Sequence, residues 1–114
     1  MKKDTSIITD INHMLGIPEG DKYFDTDVIT HINTAIMTLR QNGVGPKELL
    51  VVKDAEQVWS DFEEDSIPAI KSYLYYSVKL MFDPPANTTV MESIRSTMDE
   101  LLWRIRLEKE LSDD

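Results

Sequence analysis

Two long stretches of apolar residues at helical spacing, separated by Asp83-Pro84-Pro85, constrain the fold of this chain most strongly. Proline lacks the amide hydrogen that a helix interior requires, and it disfavours helical geometry at the residue before it. One helix must therefore end here and another must begin later. The spacing predicts a helix from about Ser66 to Phe82 and another from about Val90 to Leu111.

Each of these two helices carries an apolar stripe that predicts a buried face. The earlier helix has a wide stripe, typical of a central helix, and it contains Ile67, Ile70, Tyr73, Leu74, Tyr76, Val78, Leu80 and Met81. The later stripe contains Met91, Ile94, Met98, Leu101, Leu102 and Ile105. Thr89 and Glu92 have the spacing of a capping box at the start of this helix. Residues 112–114 are expected to form a frayed acidic tail.

Two more helices are predicted in the first part of the chain. One runs from about Ser6 to Leu15 and ends before Gly16 and Pro18. The other runs from about Thr26 to Asn42, with Asp25 as its N-cap and a left-handed ending at Gly43. Its apolar face consists of Val28, Ile29, Ile32, Ile36 and Leu39.

The connection between the second and third helices, residues 44–65, is too long for a simple turn. It contains two β-prone runs, Leu49–Val52 and Gln57–Trp59, with a turn-length segment from Lys53 to Glu56 between them. The predicted fold is therefore mainly α. Residues 1–114 form one four-helix domain, with a small β-hairpin or an extended loop between the second and third helices.

Composition and charge exclude several classes of function. The chain has no cysteine, so disulfides, thiolate metal sites and cysteine nucleophiles are absent. Its 21 acidic and 12 basic residues give a net charge of −9, which disfavours tight binding to DNA or RNA phosphates. No apolar run is long enough for a signal peptide or a membrane span, so we expect a protein made in the cytoplasm.

The residues that could bind a metal or act in catalysis are better explained by roles in helices and loops. Neither His13 nor His31 has a helical neighbour that completes a metal or acid–base pair. Asp25-Thr26-Asp27 resembles a metal-binding pattern, but acidic residues also favour a helix N-terminus through its free amides and dipole. The acidic run from Asp61 to Asp65 could bind a cation or simply solvate a loop. We predict no catalytic, cofactor or metal site.

Four large apolar side chains are candidates for a protein interface. Trp103 and Leu107 lie one turn apart and off the buried stripe of the fourth helix, so a monomer would leave them partly exposed. The alternative is that the predicted hairpin covers them. Trp59 and Phe62 lie in the long connection, and they too could either contact a partner protein or be covered within this subunit. The candidate interface residues are therefore Trp59, Phe62, Trp103 and Leu107.

The order of motifs along the chain resembles that of the small head–tail connector proteins of tailed bacteriophages, also called head-completion or adaptor proteins. The similarity extends from about Ile7 to Leu107, and its most specific part is the run Leu80-Met81-Phe82-Asp83-Pro84-Pro85 followed by a long helix ending in Glu100-Leu101-Leu102-Trp103-Arg104. The other matching segments are Phe24–Ile29, Asn42–Pro46 and Val58–Phe62.

This resemblance implies a mainly helical virion protein without enzymatic activity or cofactor. It implies a ring that docks beneath the portal, contacts other neck and tail-completion proteins, and extends the DNA channel towards the tail. The acidic charge suits a channel through which DNA passes without specific binding. The alternative is a small acidic helical regulator that binds a partner protein. Such a regulator would need acidic residues at phosphate-like spacing, whereas these acids concentrate in helix ends, one loop and the tail.

Overall fold

The computed structural model describes residues 4–113 and is mainly α, as predicted. The helices are α1 (Ile7–Met14), α2 (Asp25–Gln41), α3 (Ile67–Phe82) and α4 (Thr88–Asp113). A short 3₁₀ helix, Trp59–Phe62, lies between α2 and α3. The described residues do not include residues 1–3, at the N-terminus where the sequence predicts no signal peptide. They also do not include Asp114, the last residue of the predicted acidic tail.

Helix α3 lies at the centre of the domain. It packs against α2 on one side and α4 on the other, while α1 contacts both α2 and α3. No residue from 69 to 80 is exposed, as expected of a central helix, but Met81 at the end of the predicted stripe is 42% exposed. The fully buried side chains of the core include Ile7, Ile11, Val28, Ile32, Leu39, Phe62, Ile70, Leu74, Val78 and Ile105.

The helix N-termini differ in detail from the sequence prediction. Asp25 is the first residue of α2 rather than its cap, and its Oδ1 accepts a hydrogen bond from Asn12 Nδ2 at 3.3 Å. At α4, Asn87 takes the capping role predicted for Thr89, because its Oδ1 accepts from the backbone N–H of Thr89 at 2.8 Å and of Val90 at 3.3 Å. Helix α2 thus has no side-chain cap, whereas α4 is capped by a residue other than the predicted one.

The long connection forms the extended loop rather than the hairpin, and no strand occurs between residues 4 and 113. Its two β-prone runs pair with different parts of the chain. The Asn33 side chain donates to Val52 O at 2.9 Å and accepts from Val52 N at 2.8 Å. Val58 instead forms an isolated bridge with Ser6. Because each run finds its partner elsewhere, the two do not pair with each other.

The C-terminal helix is longer and more exposed than predicted. It continues to Asp113, where the sequence suggested a frayed tail from residue 112, and Ser112 Oγ donates to Glu108 O at 3.0 Å. Of its predicted buried stripe, Ile105 alone is fully buried. Met98, Leu101 and Leu102 are partly buried against the core, and Met91 and Ile94 have intermediate exposure. The reason is that α4 packs mainly against one neighbour, α3.

Substitution of a leucine in each helix should test this architecture. Leu74 on α3 is 0% exposed, so Leu74→Ala should lower the free energy of unfolding by about 2–5 kcal/mol through lost burial and a cavity. Leu101→Ala on α4 should cost less, since that side chain is only partly buried. Denaturant unfolding of both variants measures the difference. An equal loss for the two would contradict the central position of α3.

A candidate interaction surface on the fourth helix

Helix α4 carries a second row of apolar side chains on the side that faces away from the core. Trp103, Leu107 and Leu111 follow one another at intervals of four residues and are 62%, 39% and 65% exposed. The buried Ile105 lies two residues from Trp103, which corresponds to about 200° around the helix at roughly 100° per residue. These three residues, here called the outer row, therefore point into solvent.

Charged side chains border the outer row. Arg104 Nη2 donates to Glu100 Oε1 at 2.6 Å, an exposed pair one turn apart on α4. Such a pair contributes little to stability, but it holds both groups beside Trp103. Arg95 and Arg106 are exposed and form no ion pair with any described residue. The row is thus an apolar surface bordered by charges of both signs, because Asp99 and Glu110 beside it are exposed as well.

The structure separates the four candidate interface residues into two pairs. Trp103 and Leu107 are exposed, and no hairpin exists to cover them. Trp59 and Phe62 are 3% and 0% exposed and stack on each other with ring centroids 5.9 Å apart. They belong to the core of this subunit and present no free side chain to a partner. The sequence analysis proposed both as interface residues because they lie in the long connection. The 3₁₀ helix instead turns both rings towards the core.

Leu111 is a member of the outer row that the sequence analysis missed. Its signal was present in the sequence, because Leu111 lies four residues after Leu107 and eight after Trp103. The predicted helix already ended at Leu111, but the row was followed only as far as Leu107. Since α4 continues to Asp113, Leu111 has a fixed place on the same face.

A polar cluster around Asp10 fixes the buried position of Trp59. Asp10 Oδ2 accepts hydrogen bonds from Trp59 Nε1 at 2.7 Å, from Lys71 Nζ at 3.3 Å and from Thr5 Oγ1. Lys71 Nζ also lies 5.0 Å from the centre of the Trp59 ring, in cation–π geometry. Partial burial raises the pKa of Asp10, but these hydrogen bonds and the charge of Lys71 together lower the pKa below its ordinary value.

A second polar cluster anchors the C-terminal half of α4 to the loops after α2 and before α3. Lys109 Nζ donates to Glu64 Oε2 at 2.7 Å and to Gly43 O at 2.6 Å, while Glu64 Oε2 also accepts from Gly45 N at 2.7 Å. Ser66 Oγ donates to Glu108 Oε2 at 2.6 Å. These contacts lie on the core side of α4, so they hold the helix in place and leave the outer row open.

Of the residues considered for chemistry, His13 and Asp25 line one groove between α1 and the start of α2. Within residues 4–113, no three His, Cys, Asp or Glu side chains form a group that could hold a metal ion. His13 is exposed, and Asp25 bonds to Asn12 as described above. None of the described helices is both long and apolar enough to cross a membrane.

Comparison with known proteins identifies the family. The family model of phage connector proteins matches residues 7–112, nearly the whole chain. This chain belongs to the phage connector protein family. The resemblance predicted from the sequence motifs is therefore confirmed, and with it a structural connector role in a bacteriophage particle. A search of curated proteins and a search of solved structures found no match.

The Asp10 cluster predicts a specific pH dependence of stability. Because the pKa of Asp10 in the folded connector lies below its ordinary value of 3.8, its carboxylate stabilises the fold above that pH. This stabilisation is lost as the pH falls through the folded-state pKa. Asp10→Asn should therefore lower the free energy of unfolding near neutral pH, and its difference from the wild type should shrink below pH 3.8. Denaturant unfolding across this pH range measures the effect.

The control for this pH experiment is Glu48→Gln, which removes an exposed carboxylate that makes no side-chain hydrogen bond or ion pair among the described residues. It should leave the free energy of unfolding nearly unchanged. A gap between Asp10→Asn and the wild type that stays constant down to acidic pH would show that the charge of Asp10 does not stabilise the fold.

The two tryptophans of the connector should respond differently to substitution. Trp59→Ala should cost about 3–5 kcal/mol, since the side chain fills the core, whereas Trp103→Ala should leave the free energy of unfolding nearly unchanged. In Trp59→Phe and Trp103→Phe, the remaining tryptophan can be tested by acrylamide quenching. Trp103 should be quenched strongly and Trp59 weakly. Similar quenching of both would contradict the assignment of one tryptophan to the core and one to the surface.

Proposed function

We propose that this protein is a head–tail connector of a tailed bacteriophage that assembles as a ring beneath the portal. The ring extends the DNA channel and provides the surface to which the tail attaches. The protein is made in the host cytoplasm, acts in the virion at the head–tail interface, and catalyses no reaction. The observation that carries this proposal is the outer row: an exposed apolar face on a chain that belongs to a family of connector proteins.

The physical argument for an interface begins with Trp103. A tryptophan that is 62% exposed leaves a large apolar area in water, and tryptophans are enriched among the residues that dominate binding energy. Leu107 and Leu111 extend this area along one helix face. Arg104 and Arg106 would then form part of a polar rim that fixes register more than affinity. The partners we propose for the assembled neck are the portal, other neck and tail-completion proteins, and further copies of this chain.

The net charge of −9 supports the proposed passage of DNA through the ring. A channel wall of the same sign as the phosphates gives the duplex few places to bind, since affinity for DNA depends on neutralising its charge. DNA would thus pass without specific contacts, and no cofactor is needed for this role. The acidic-regulator alternative has less support, because such a regulator needs acidic residues at phosphate-like spacing, whereas these acids concentrate in helix ends, one loop and the tail.

Loss of the outer row should abolish assembly without unfolding the subunit. A phage that encodes Trp103→Ala should yield heads that leak DNA or lack tails, because the largest apolar contact is gone. Leu107→Ala should have a weaker effect of the same kind. Electron microscopy of the particles and the count of infectious phage measure this outcome.

Leu49→Ala provides the matched control for that experiment. Leu49 is 47% exposed, similar to Leu107, but it lies in the connection between α2 and α3. Its substitution should leave the yield of tailed particles normal. A normal yield of infectious particles with Trp103→Ala would show that the outer row is not an assembly interface.

A further inference from the structure

The charged residues on the two edges of the outer row follow the same order. Relative to Leu107 at the middle of the row, Arg104 and Glu108 lie about 60° and 100° round α4 on one side. Arg106 and Glu110 lie about 100° and 60° round α4 on the other side. All four are exposed. On each edge an arginine precedes a glutamate by four residues, so each edge is complementary to a copy of itself that runs in the opposite direction.

An antiparallel pair of α4 helices brings identical edges together. A two-fold axis that passes between the helices at Leu107 places residues equally far before and after Leu107 at the same height. At about 1.5 Å per residue, Arg106 lies about 3 Å along the helix axis from Glu110 of the second copy. The same spacing separates Arg104 from Glu108 of the second copy. The pair of helices therefore gains four contacts between opposite charges.

The edge that contains Arg106 and Glu110 is the clearer of the two. Neither residue forms an ion pair within the part of the chain that the structure describes. On the other edge, Arg104 pairs with Glu100, and Glu108 Oε2 accepts from Ser66. The first edge therefore contributes charges that no contact within the subunit already uses.

The apolar side chains of the outer row are complementary in the same arrangement. Trp103 lies four residues before Leu107 and Leu111 lies four residues after it. The two-fold axis therefore places each Trp103 at the height of Leu111 of the second copy, while the two Leu107 side chains meet at the centre. The three side chains are 62%, 39% and 65% exposed in one subunit, so the contact removes apolar area from water on both copies.

The charges also select the antiparallel orientation over the parallel one. In a parallel pair, opposite edges meet at the same height. Arg104 would then lie near Arg106 of the second copy, and Glu108 would lie near Glu110. Like charges at this distance repel each other. The order of charges thus favours one orientation of a second copy and disfavours the other.

The exposed acid Asp99 does not oppose this contact. It lies about 12 Å before Leu107 along the helix axis, whereas the helix of the second copy ends at Asp113, about 9 Å from the centre. The attraction between the two edges acts within about 5 Å of the centre, where the helices are closest.

We propose that two copies of the free chain pair antiparallel through their outer rows, about a two-fold axis at Leu107. This inference goes beyond the proposed function, because it describes the subunit before it joins the neck. The contact is isologous and stops at a dimer, so it differs from the contacts that close a ring. The row must be released when the subunit assembles.

The small size of the contact suits a reversible dimer. From Trp103 to Leu111 the outer row extends over about 12 Å. A contact along one such helix face buries less than the roughly 800 Å² per partner that is typical of stable complexes. The dimer therefore forms at high concentration and separates on dilution, which leaves Trp103 open in a dilute sample.

Sedimentation equilibrium of the purified chain, from micromolar to millimolar concentration, tests whether the dimer forms. The expected result is a monomer–dimer equilibrium. Trp103→Ala should raise its Kd about tenfold or more, because the largest apolar side chain of the row is lost. This variant remains folded, since Trp103 lies outside the core. A monomer at every concentration, or a Kd that Trp103→Ala leaves unchanged, would overturn the proposal.

Reversal of one charged edge tests the antiparallel orientation. Arg106→Glu places like charges together at two sites of the dimer and should raise the Kd about tenfold. Addition of Glu110→Arg to this variant restores opposite charges and should return the Kd close to that of the wild type. Arg95→Glu is the matched control, because Arg95 is exposed and unpaired among the described residues and lies about 120° round α4 from Leu107. Equal effects of the two single variants would show that net charge alone controls association.

The absence of native cysteine allows a separate test of the two-fold axis. Under mild oxidation at high concentration, Leu107→Cys should form a disulfide-linked dimer, because the two side chains meet at the axis. Ser96→Cys is the matched control, exposed on the same face of α4 three turns earlier. The two copies of Ser96 lie about 33 Å apart in the antiparallel pair, so this variant should stay unlinked. Linkage of both variants would show a parallel pair, and linkage of neither would exclude the proposed axis.

These results are distinguishable from a failure of the proposed function. If the chain stays monomeric while the Trp103→Ala phage yields heads without tails, the pairing is wrong and the connector function stands. If the antiparallel dimer forms while that phage assembles normally, the pairing is correct and the outer row is not the assembly interface.

Discussion

Burial of α3 on two sides is the interaction on which the rest of the structure depends. Ile70, Leu74 and Val78 are fully buried, and no residue from 69 to 80 is fully exposed. Helices α1 and α2 cover one side of α3 and α4 covers the other, so the apolar surface of α3 determines where the remaining helices lie. The domain has no disulfide to hold it together, which leaves this packing as its main source of stability.

The sequence predicted the helices well because their signals are local. Periodic apolar residues, Gly43 and Asp83-Pro84-Pro85 act over a few positions, and all of them have the expected effect. The predicted hairpin does not form, because its two runs bond to residues outside the connection. The Asn33 side chain bonds to the backbone of Val52, and Ser6 forms a bridge with Val58. No spacing rule within residues 44–65 could reveal that competition.

The candidate interaction surface was predictable to the extent that it follows helix geometry. Trp103 and Leu107 were found because they fall off the buried stripe of α4, and the same rule also selects Leu111, the last residue of the predicted helix. Trp59 and Phe62 lie in irregular backbone, where residue spacing gives no direction for a side chain. Trp59 donates to Asp10 and lies under Lys71, both distant in sequence, so its buried position could be seen only in three dimensions.

Substitutions on the opposite faces of α4 have different consequences for folding. Ile105 and the partly buried leucines face α3, so changes there affect whether the subunit folds. Trp103, Leu107 and Leu111 face outward and add little to the core, so changes there leave the subunit intact. One helix can thus keep its place in the fold while the residues of its exposed face change. A connector built in this way could acquire a new neighbour through a few surface substitutions, without losing stability in the process.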